Sequence, residues 1–182
     1  MTDEELRELV ARTARTVAET TEQMKKTDEQ MKKTDAKLER MGIQLGNINQ
    51  NIGATTEEYF YNSLYDNPML GNIKFDTISK NLHWRDKKIE DEFDIIMYNG
   101  NSVAIIECKY KAHKNDLLKL MTKKVENFRA ISEDYRDYTI YLGLASFCFY
   151  PELEQLAHEN GVAVLKQKGE IVQVDADYLK AY

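Results

Sequence analysis

The chain has 182 residues, 42% of them hydrophobic, and a formal net charge of −6. This content supports one modest α/β domain and an appendage. The first residues, Met-Thr-Asp-Glu-Glu, lack the basic start and apolar run of a signal peptide, and no stretch approaches membrane-spanning length. Cys108 and Cys148 lie in apolar strand-like segments and predict reduced core thiols. We therefore expect a cytoplasmic protein with no membrane partner.

Residues 1–50 carry a seven-residue repeat. One heptad position is filled by Val10, Val17, Met24, Met31, Leu38, Leu45 and Ile52, and the position three further on by Leu6, Thr13, Thr20, Thr27, Thr34, Met41 and Ile48. We call these two positions the seam. A strict seven-residue period predicts a coiled coil that forms a homo-oligomer. Four threonines weaken the seam, and the alternative is a helix folded back on its own domain.

A composition change near residue 50 separates this repeat from residues 51–182, because glycines and asparagines cluster between Gly42 and Gly53. In the following segment Glu57, Phe60 and Leu64 fall at i, i+3 and i+7, the inward stripe of a helix. Glu58 lies about 100° away around that helix and is expected to face solvent. Glu57 is therefore the better candidate for a buried site.

A β-hairpin is predicted next. Residues 93–98 and 102–107 are rich in β-branched and aromatic residues, and Asn99-Gly100 between them suits a type I′ turn. A loop of those two residues places Asp94 opposite Ile105. Because side chains alternate along a strand, Asp94, Glu107 and Lys109 then share one face.

Two carboxylates and a lysine beside apolar strands are costly unless they are paired or bound to a metal ion. This arrangement of Asp94, Glu107 and Lys109 predicts a metal-dependent centre. The alternative is a solvent-facing Glu-x-Lys pair on a half-exposed sheet.

The remaining segments alternate between strand and helix patterns. They predict a first strand and turn over 73–84, a buried strand over 138–147, and closing strands over 162–165 and 171–174. A helix is predicted over 151–160, ending before Gly161. An amphipathic helix is predicted over 116–132, and the residues on its apolar stripe are Leu117, Leu118, Met121, Val125 and Phe128. The expected fold is a mixed β-sheet flanked by helices.

These pieces resemble the PD-(D/E)XK nuclease superfamily over roughly residues 52–174. The matching residues are Gly53-x-x-x-Glu57 on the first helix, Asp94 on one strand and Glu107-Cys108-Lys109 on the next, with Phe93 in place of the proline of the motif's name. The whole chain is similar to prokaryotic proteins that join a heptad-repeat coiled coil to such a domain. The resemblance implies a restriction-endonuclease-like fold.

The same resemblance implies that Glu57, Asp94 and Glu107 hold Mg²⁺, with Mn²⁺ able to substitute, while Lys109 orients the attacking water. The implied activity is endonucleolytic hydrolysis of DNA phosphodiester bonds. RNA or branched DNA as substrate stays open. A second alternative is a non-catalytic coiled-coil adaptor whose nuclease-like domain only binds nucleic acid or a protein partner.

Residues 109–124 form a basic run, with six lysines against one acid, Asp116. The lysines beyond Lys109 are Lys111, Lys114, Lys119, Lys123 and Lys124. Their positive charge contrasts with the acidic whole and predicts contacts to a phosphate backbone. A solvated helix face is the alternative.

Overall fold

The computed structural model describes residues 2–85, 89–131, 135–169 and 171–182. The chain divides into two compact units, Met1–Asn49 and Gln50–Tyr182. The helices are α1 (Asp3–Tyr65), α2 (Lys114–Lys119), α3 (Val125–Ile131) and α4 (Pro151–Asn160), with a π-helical turn (Leu120–Lys124) between α2 and α3. The strands are β1 (Met69–Leu70), β2 (Ile73–Lys74), β3 (Thr77–Arg85), β4 (Glu90–Asn99), β5 (Ser102–Lys111), β6 (Thr139–Cys148), β7 (Ala163–Lys168) and β8 (Ile171–Asp175).

The first unit is helical, and its described side chains are exposed in the single chain. The hydroxyl groups of the four seam threonines each donate to the carbonyl four residues earlier, at 2.7–3.0 Å. These hydroxyls are therefore satisfied within their own helix. Within the described residues, no helix combines the length and the apolar character needed to cross a membrane.

The second unit is built on a six-stranded sheet with the order β3-β4-β5-β6-β7-β8. Strands β5, β6 and β7 run parallel, and the other neighbouring pairs are antiparallel. The short strands β1 and β2 form a separate antiparallel pair. The single strand and turn predicted over 73–84 correspond to β2, the turn after it and β3. The predicted α/β class and mixed sheet are confirmed.

Both faces of the sheet are covered. One core contains Leu117, Phe128 and Leu153 from α2, α3 and α4, packed on Ile105 and Leu142 of the sheet. The second core contains Phe60 and Leu64 of α1, packed with Ile95, Met97 and Ile106. We call these the helix-layer core and the α1 core. The inward stripe predicted for Phe60 and Leu64 is confirmed.

The position of the hairpin loop differs from the prediction. The loop is Gly100-Asn101 rather than Asn99-Gly100, so Asp94 comes level with Glu107 instead of Ile105. Gly100 has a φ of 46°, as in a turn that needs glycine at its first central position. The two-residue length was correct, and a shift of the register by two residues leaves side-chain facing unchanged.

The helix predicted over 116–132 is divided into α2, the π-helical turn and α3, and Ser132 lies outside the described residues. Leu118 was placed on the buried stripe but is exposed, while Leu120 is fully buried. A wider π turn changes which residues face inward, and a regular 3.6-residue period does not anticipate it. Helix α4 has the predicted bounds, and Gly161 follows it with a left-handed φ of 77°.

Candidate functional site

Strands β3 and β4 change faces together at Asn81 and Asp94. On β3, Lys80 pairs with Ile95 and Leu82 pairs with Phe93, so Asn81 and Asp94 lie at the same level. Regular alternation would put Phe93 and Ile95 on one face. Phe93 instead packs in the helix-layer core and Ile95 in the α1 core. The alternation is therefore broken at Asp94.

The same break occurs across the ladder on β3. Ile78 packs against the α1 core and Leu82 against the helix-layer core, although both have the same parity along the strand. Asn81 lies between them with a φ of 52°, in the left-handed region that residues with a Cβ rarely adopt. This single residue absorbs the change of face.

Asp94 is buried, with 7% of its surface exposed. Its Oδ2 accepts a hydrogen bond of 2.7 Å from the backbone N–H of Cys108. The β4–β5 ladder ends at the pair Ile95 and Ile106, and the carboxylate satisfies the N–H beyond that point. Burial, followed by the charge of Glu107, raises the pKa of Asp94 to about 7 against the lowering effects of Lys109 and this hydrogen bond.

Lys109 lies between the two carboxylates. Its Nζ is 2.6 Å from Oε1 of Glu107 and 3.6 Å from Oδ2 of Asp94. Burial disfavours the ammonium, but the charges of Asp94 and Glu107 outweigh it and raise the pKa of Lys109 above its ordinary value. The structure thus brings three of the four predicted catalytic residues together, with lysine as their internal counter-ion.

The second carboxylate oxygen of Glu107 is less well satisfied. Within the described residues, its Oε2 is buried and accepts no hydrogen bond. The ammonium of Lys124 lies 3.6 Å from this oxygen. A buried acceptor left without a donor costs about 1–3 kcal/mol, more when it is charged. This oxygen could therefore accept a further donor or ligate a cation.

Glu57 approaches the same group from α1. It is half-buried, and burial together with the charges of Glu92 and Glu107 raises its pKa, while the charge of Lys109 and the polar side chain of Asn81 oppose the rise. Glu58 is instead exposed and forms an ion pair with Lys80. Of these two adjacent acids, Glu57 is the one that interacts with the site.

The carboxylates are not gathered into a ready metal centre. In the part of the chain that the structure describes, no three His, Cys, Asp or Glu side chains lie close enough together to hold a metal ion. Asp94 and Glu107 are near neighbours through Lys109, and Glu57 interacts with them only through its charge.

Lys124 occupies a different position from the other lysines of the basic run. Lys111, Lys114, Lys119 and Lys123 are exposed. The Lys124 side chain is only 14% exposed, and its ammonium lies 2.8 Å from Oδ1 of Asp91 as well as near Glu107. Lys124 is the last residue of the π-helical turn, which places it beside these two acids. A phosphate contact by Lys124 would have to compete with both acids.

Sequence reasoning missed three residues of this neighbourhood: Asn81, Asp91 and Asn127. Oδ2 of Asp91 accepts a 2.7 Å hydrogen bond from Nδ2 of Asn127. Burial would raise the pKa of Asp91, but hydrogen bonds from Lys124 and Asn127 keep it below the ordinary value. The acidic sequence Asp91-Glu92-Phe93-Asp94 was a visible signal for Asp91. Asn81 had none, because its role depends on its backbone conformation.

A family model described as archaea bacterial proteins of unknown function matches residues 16–138, which is more than half of the chain. The matched range includes Glu57, Asp94, Glu107 and Lys109. No curated protein and no solved structure matched the chain.

The raised pKa of Asp94 predicts a pH-dependent stability. A folded-state pKa near 7, above the unfolded value, means that stability is lost as the pH rises from about 4 through about 7. Asp94→Asn keeps the oxygen that accepts from Cys108 but carries no charge. In EDTA, its melting temperature should exceed that of the wild type by a few degrees at pH 8, and the difference should shrink at pH 5.

Circular dichroism melts at several pH values measure this difference. Asp35→Asn is the control, because Asp35 is an exposed residue of α1 far along the chain from the carboxylate group. A difference between Asp94→Asn and wild type that does not change with pH would show that Asp94 is not held at an unfavourable charge.

Proposed function

The chain belongs to that family of archaeal and bacterial proteins of unknown function, and from its site we propose that it is a metal-dependent nuclease that hydrolyses phosphodiester bonds of DNA. The observation that carries the proposal is the convergence of Asp94, Glu107 and Lys109, in which Oε2 of Glu107 is buried without a donor. The resemblance to the PD-(D/E)XK superfamily supports the same activity and a restriction-endonuclease-like fold.

The donor set suits a hard divalent cation. Carboxylate oxygens are preferred ligands of Mg²⁺ and Mn²⁺. Asp94 and Glu107 would hold the ion, with Glu57 as a third ligand. The Lys109 ammonium lies between the two carboxylates. Its flexible four-carbon side chain allows the ammonium to move away when an ion binds there. The proposal therefore includes a rearrangement of Lys109 and Glu57.

Each group then has a chemical task. A bound divalent ion would make a water nucleophilic near neutral pH and would neutralise charge on the phosphate oxygens. Lys109 orients the attacking water and adds a positive charge where negative charge develops on the phosphate. Lys124 remains beside Glu107 and Asp91, which keeps the Glu107 side chain directed into the site. Burial of Asp94 and Cys108 limits water at the rear of the site.

Exposed lysines beside the site provide a surface that the DNA backbone would contact. Lys111 follows Lys109 on the same face of β5, and its ammonium lies 5.0 Å from the exposed ring of Tyr150. A cleft of about 450 Å³ lies where β5 and β6 end, and its lining combines His113, Lys114 and Tyr150 with two acids of α4, Glu152 and Glu159. Lysines beside aromatic rings are typical of nucleic-acid-binding surfaces. They offset locally the net charge of −6.

We also propose that the N-terminal helix pairs with other copies as a coiled coil. The seam side chains Val10, Val17, Met24, Met31, Leu38 and Leu45 are each more than half exposed in the single chain. A row of exposed apolar side chains at a seven-residue period favours a second helix as its cover. A cytoplasmic location suits the two free cysteines. Cys108 is buried as predicted, whereas Cys148 is exposed and the prediction of a core thiol there was wrong.

The activity is tested by metal binding and cleavage together. Isothermal titration should show Mn²⁺ binding to the wild type and its loss in Asp94→Ala and Glu107→Ala. Lys109→Ala should keep metal binding but reduce plasmid nicking by at least about 10²-fold, since a charge-stabilising donor is gone. Cleavage should require Mg²⁺ or Mn²⁺ and stop in EDTA.

Glu58→Ala is the matched control, because Glu58 neighbours Glu57 but pairs with Lys80 outside the site. Single-stranded DNA, branched DNA and RNA tested beside the plasmid identify the substrate. Metal affinity that is equal in the wild type and both carboxylate variants would rule out the site. Nucleic-acid binding without cleavage of any substrate would favour the adaptor instead.

The basic run is tested by binding in EDTA, where no cleavage occurs. Replacing the exposed lysines by alanine, at Lys111, Lys114, Lys119 and Lys123, should weaken DNA binding. It should also reduce the slope of log affinity against log salt by up to about 0.9 for each phosphate that the protein no longer neutralises. Fluorescence anisotropy of labelled DNA measures both quantities.

The charge-matched control replaces Lys25, Lys26, Lys32 and Lys33 in the N-terminal helix. Equal effects of the two quadruple variants would mean that net charge, and not the basic run, sets the affinity.

The coiled coil is tested in the full chain. Leu38→Asp with Leu45→Asp puts two charges on the seam and should convert an oligomer into a smaller species, measured by light scattering. Ala36→Asp with Ile43→Asp is the control, because these residues lie on the opposite side of the helix. A wild type that is monomeric at micromolar concentration would exclude self-association.

A further inference from the structure

A second cleft lies beside the edge strand β3, next to the helix-layer core. Its volume is about 390 Å³, which is within the usual range of small-molecule pockets. The aromatic residues that line it are Trp84, Tyr98, Phe128, Tyr135 and Tyr138. Three of them are tyrosines, so the lining combines flat apolar surfaces with hydroxyl groups that can form hydrogen bonds. We call it the aromatic cleft.

Most of these rings are held by one another. The ring of Tyr135 stacks on Phe128 with the centroids 4.9 Å apart, meets Tyr138 edge-on at 5.3 Å, and lies 6.3 Å from Tyr98. Trp84 differs from them. In the described part of the chain it is half-buried, pairs with no other aromatic ring and belongs to neither hydrophobic core. Its indole ring therefore lacks the stacking partner that the tyrosines have.

The change of face at Asn81 gives Trp84 its position. Ile78 packs against the α1 core, and regular alternation would put Trp84, which has the same parity along β3, on that side as well. Beyond Asn81, Leu82 packs against the helix-layer core, and Trp84 lines the aromatic cleft. The departure that shapes the carboxylate–lysine site therefore also puts an indole ring into this cleft.

The aromatic cleft adjoins that site. Trp84 pairs with Asp91 across the β3–β4 ladder, so the two side chains are neighbours on one face. Oδ1 of Asp91 lies 2.8 Å from Nζ of Lys124, and the same ammonium lies 3.6 Å from Oε2 of Glu107. A ligand that contacts Trp84 is thus separated from Glu107 by Asp91 and Lys124 alone.

We propose that the aromatic cleft binds one unpaired nucleobase, stacked on Trp84, and so places the adjoining backbone beside the site. Nucleic acid as the ligand rests on the proposed function, and the cleft narrows the substrate class to strands with an unpaired base. Every base has a π face that stacks on aromatic side chains. A base inside a duplex is already stacked and would first have to leave the helix. An aliphatic side chain of a protein partner would gain burial without stacking.

Trp84 is the one tryptophan of the chain, so its fluorescence reports on the cleft directly. In EDTA, a single-stranded oligothymidylate should quench this emission to saturation, because a stacked base contacts the excited indole. The control is a strand of abasic spacers of equal length, which carries the same phosphates and should leave the emission nearly unchanged. A duplex should quench much less. Thymidine monophosphate should bind much more weakly than the strand, because it lacks the neighbouring phosphates.

Variants of Trp84 test whether the ring itself binds the base. In fluorescence anisotropy in EDTA, Trp84→Ala should weaken oligothymidylate binding by about 5–150-fold, the range for one stacked base, and should not affect the abasic strand. Trp84→Tyr should retain most of the affinity. Trp84→Leu keeps apolar bulk without a ring and should resemble Trp84→Ala. Tyr65→Ala is the matched control, because Tyr65 is an exposed aromatic residue of α1 that does not line the cleft.

Four results would overturn the role of the cleft. Equal quenching by the oligothymidylate and the abasic strand would show that the signal comes from the backbone. Equal affinity of Trp84→Leu and Trp84→Tyr would show that stacking is not involved. Equal affinity for thymidine monophosphate and the strand would show a site for free nucleotides. Emission that changes when the free protein is diluted would show that a second copy of the chain covers the cleft.

The outcomes also separate the cleft from the nuclease. Strands that bind by anisotropy but leave the emission of Trp84 unquenched overturn the cleft alone. Base-dependent quenching without cleavage of any substrate supports the cleft and overturns the nuclease. A wild type that binds no nucleic acid overturns both. If the variants of Trp84 do not fold, which their melting curves would show, quenching of the wild type decides the question.

Discussion

The site depends on the change of face that β3 and β4 undergo together at Asn81 and Asp94. Regular alternation through this level would direct Phe93 and Leu82 away from the helix-layer core, where both pack. The change puts Asp94 at the boundary between the two cores, with its carboxylate on the N–H of Cys108 rather than in solvent. The hydrophobic cores on both sides stabilise this geometry, because reversing it would expose large apolar side chains.

Charge is balanced within the site by pairing acids with lysines. Asp94 and Glu107 share Lys109, while Asp91 and Glu107 share Lys124. The balance is incomplete, since the pKa of Asp94 is raised to about 7 and one oxygen of Glu107 accepts no hydrogen bond within the described residues. Such groups persist where another requirement outweighs their cost to stability. Binding of a cation is the requirement that we propose.

Much of the architecture follows from local patterns in the sequence. The Glu57-Phe60-Leu64 spacing identified the buried side of α1, and the apolar run before Cys148 identified a strand covered on both faces. The even loop length placed Asp94 and Glu107 together even though the loop residues were assigned one position too early. Features that depend on a departure from regular geometry were not visible. The positive φ of Asn81 and the π turn before Val125 are such departures. They determine where the side chains of Asn81 and Lys124 lie.

The hydrogen bonds of the seam threonines affect how two such helices would align along their length. Because each hydroxyl already bonds to its own backbone, a neighbouring helix gains no directional contact by lying at one level rather than another. Sliding two such helices by one heptad brings threonine opposite threonine again. In the coiled coil that we propose, the repeat would therefore set the spacing of layers without selecting a particular stagger. A unique stagger has to come from the larger apolar residues near the end of the repeat, such as Met41, Leu45 and Ile48, where one-heptad slippage brings unlike side chains into contact.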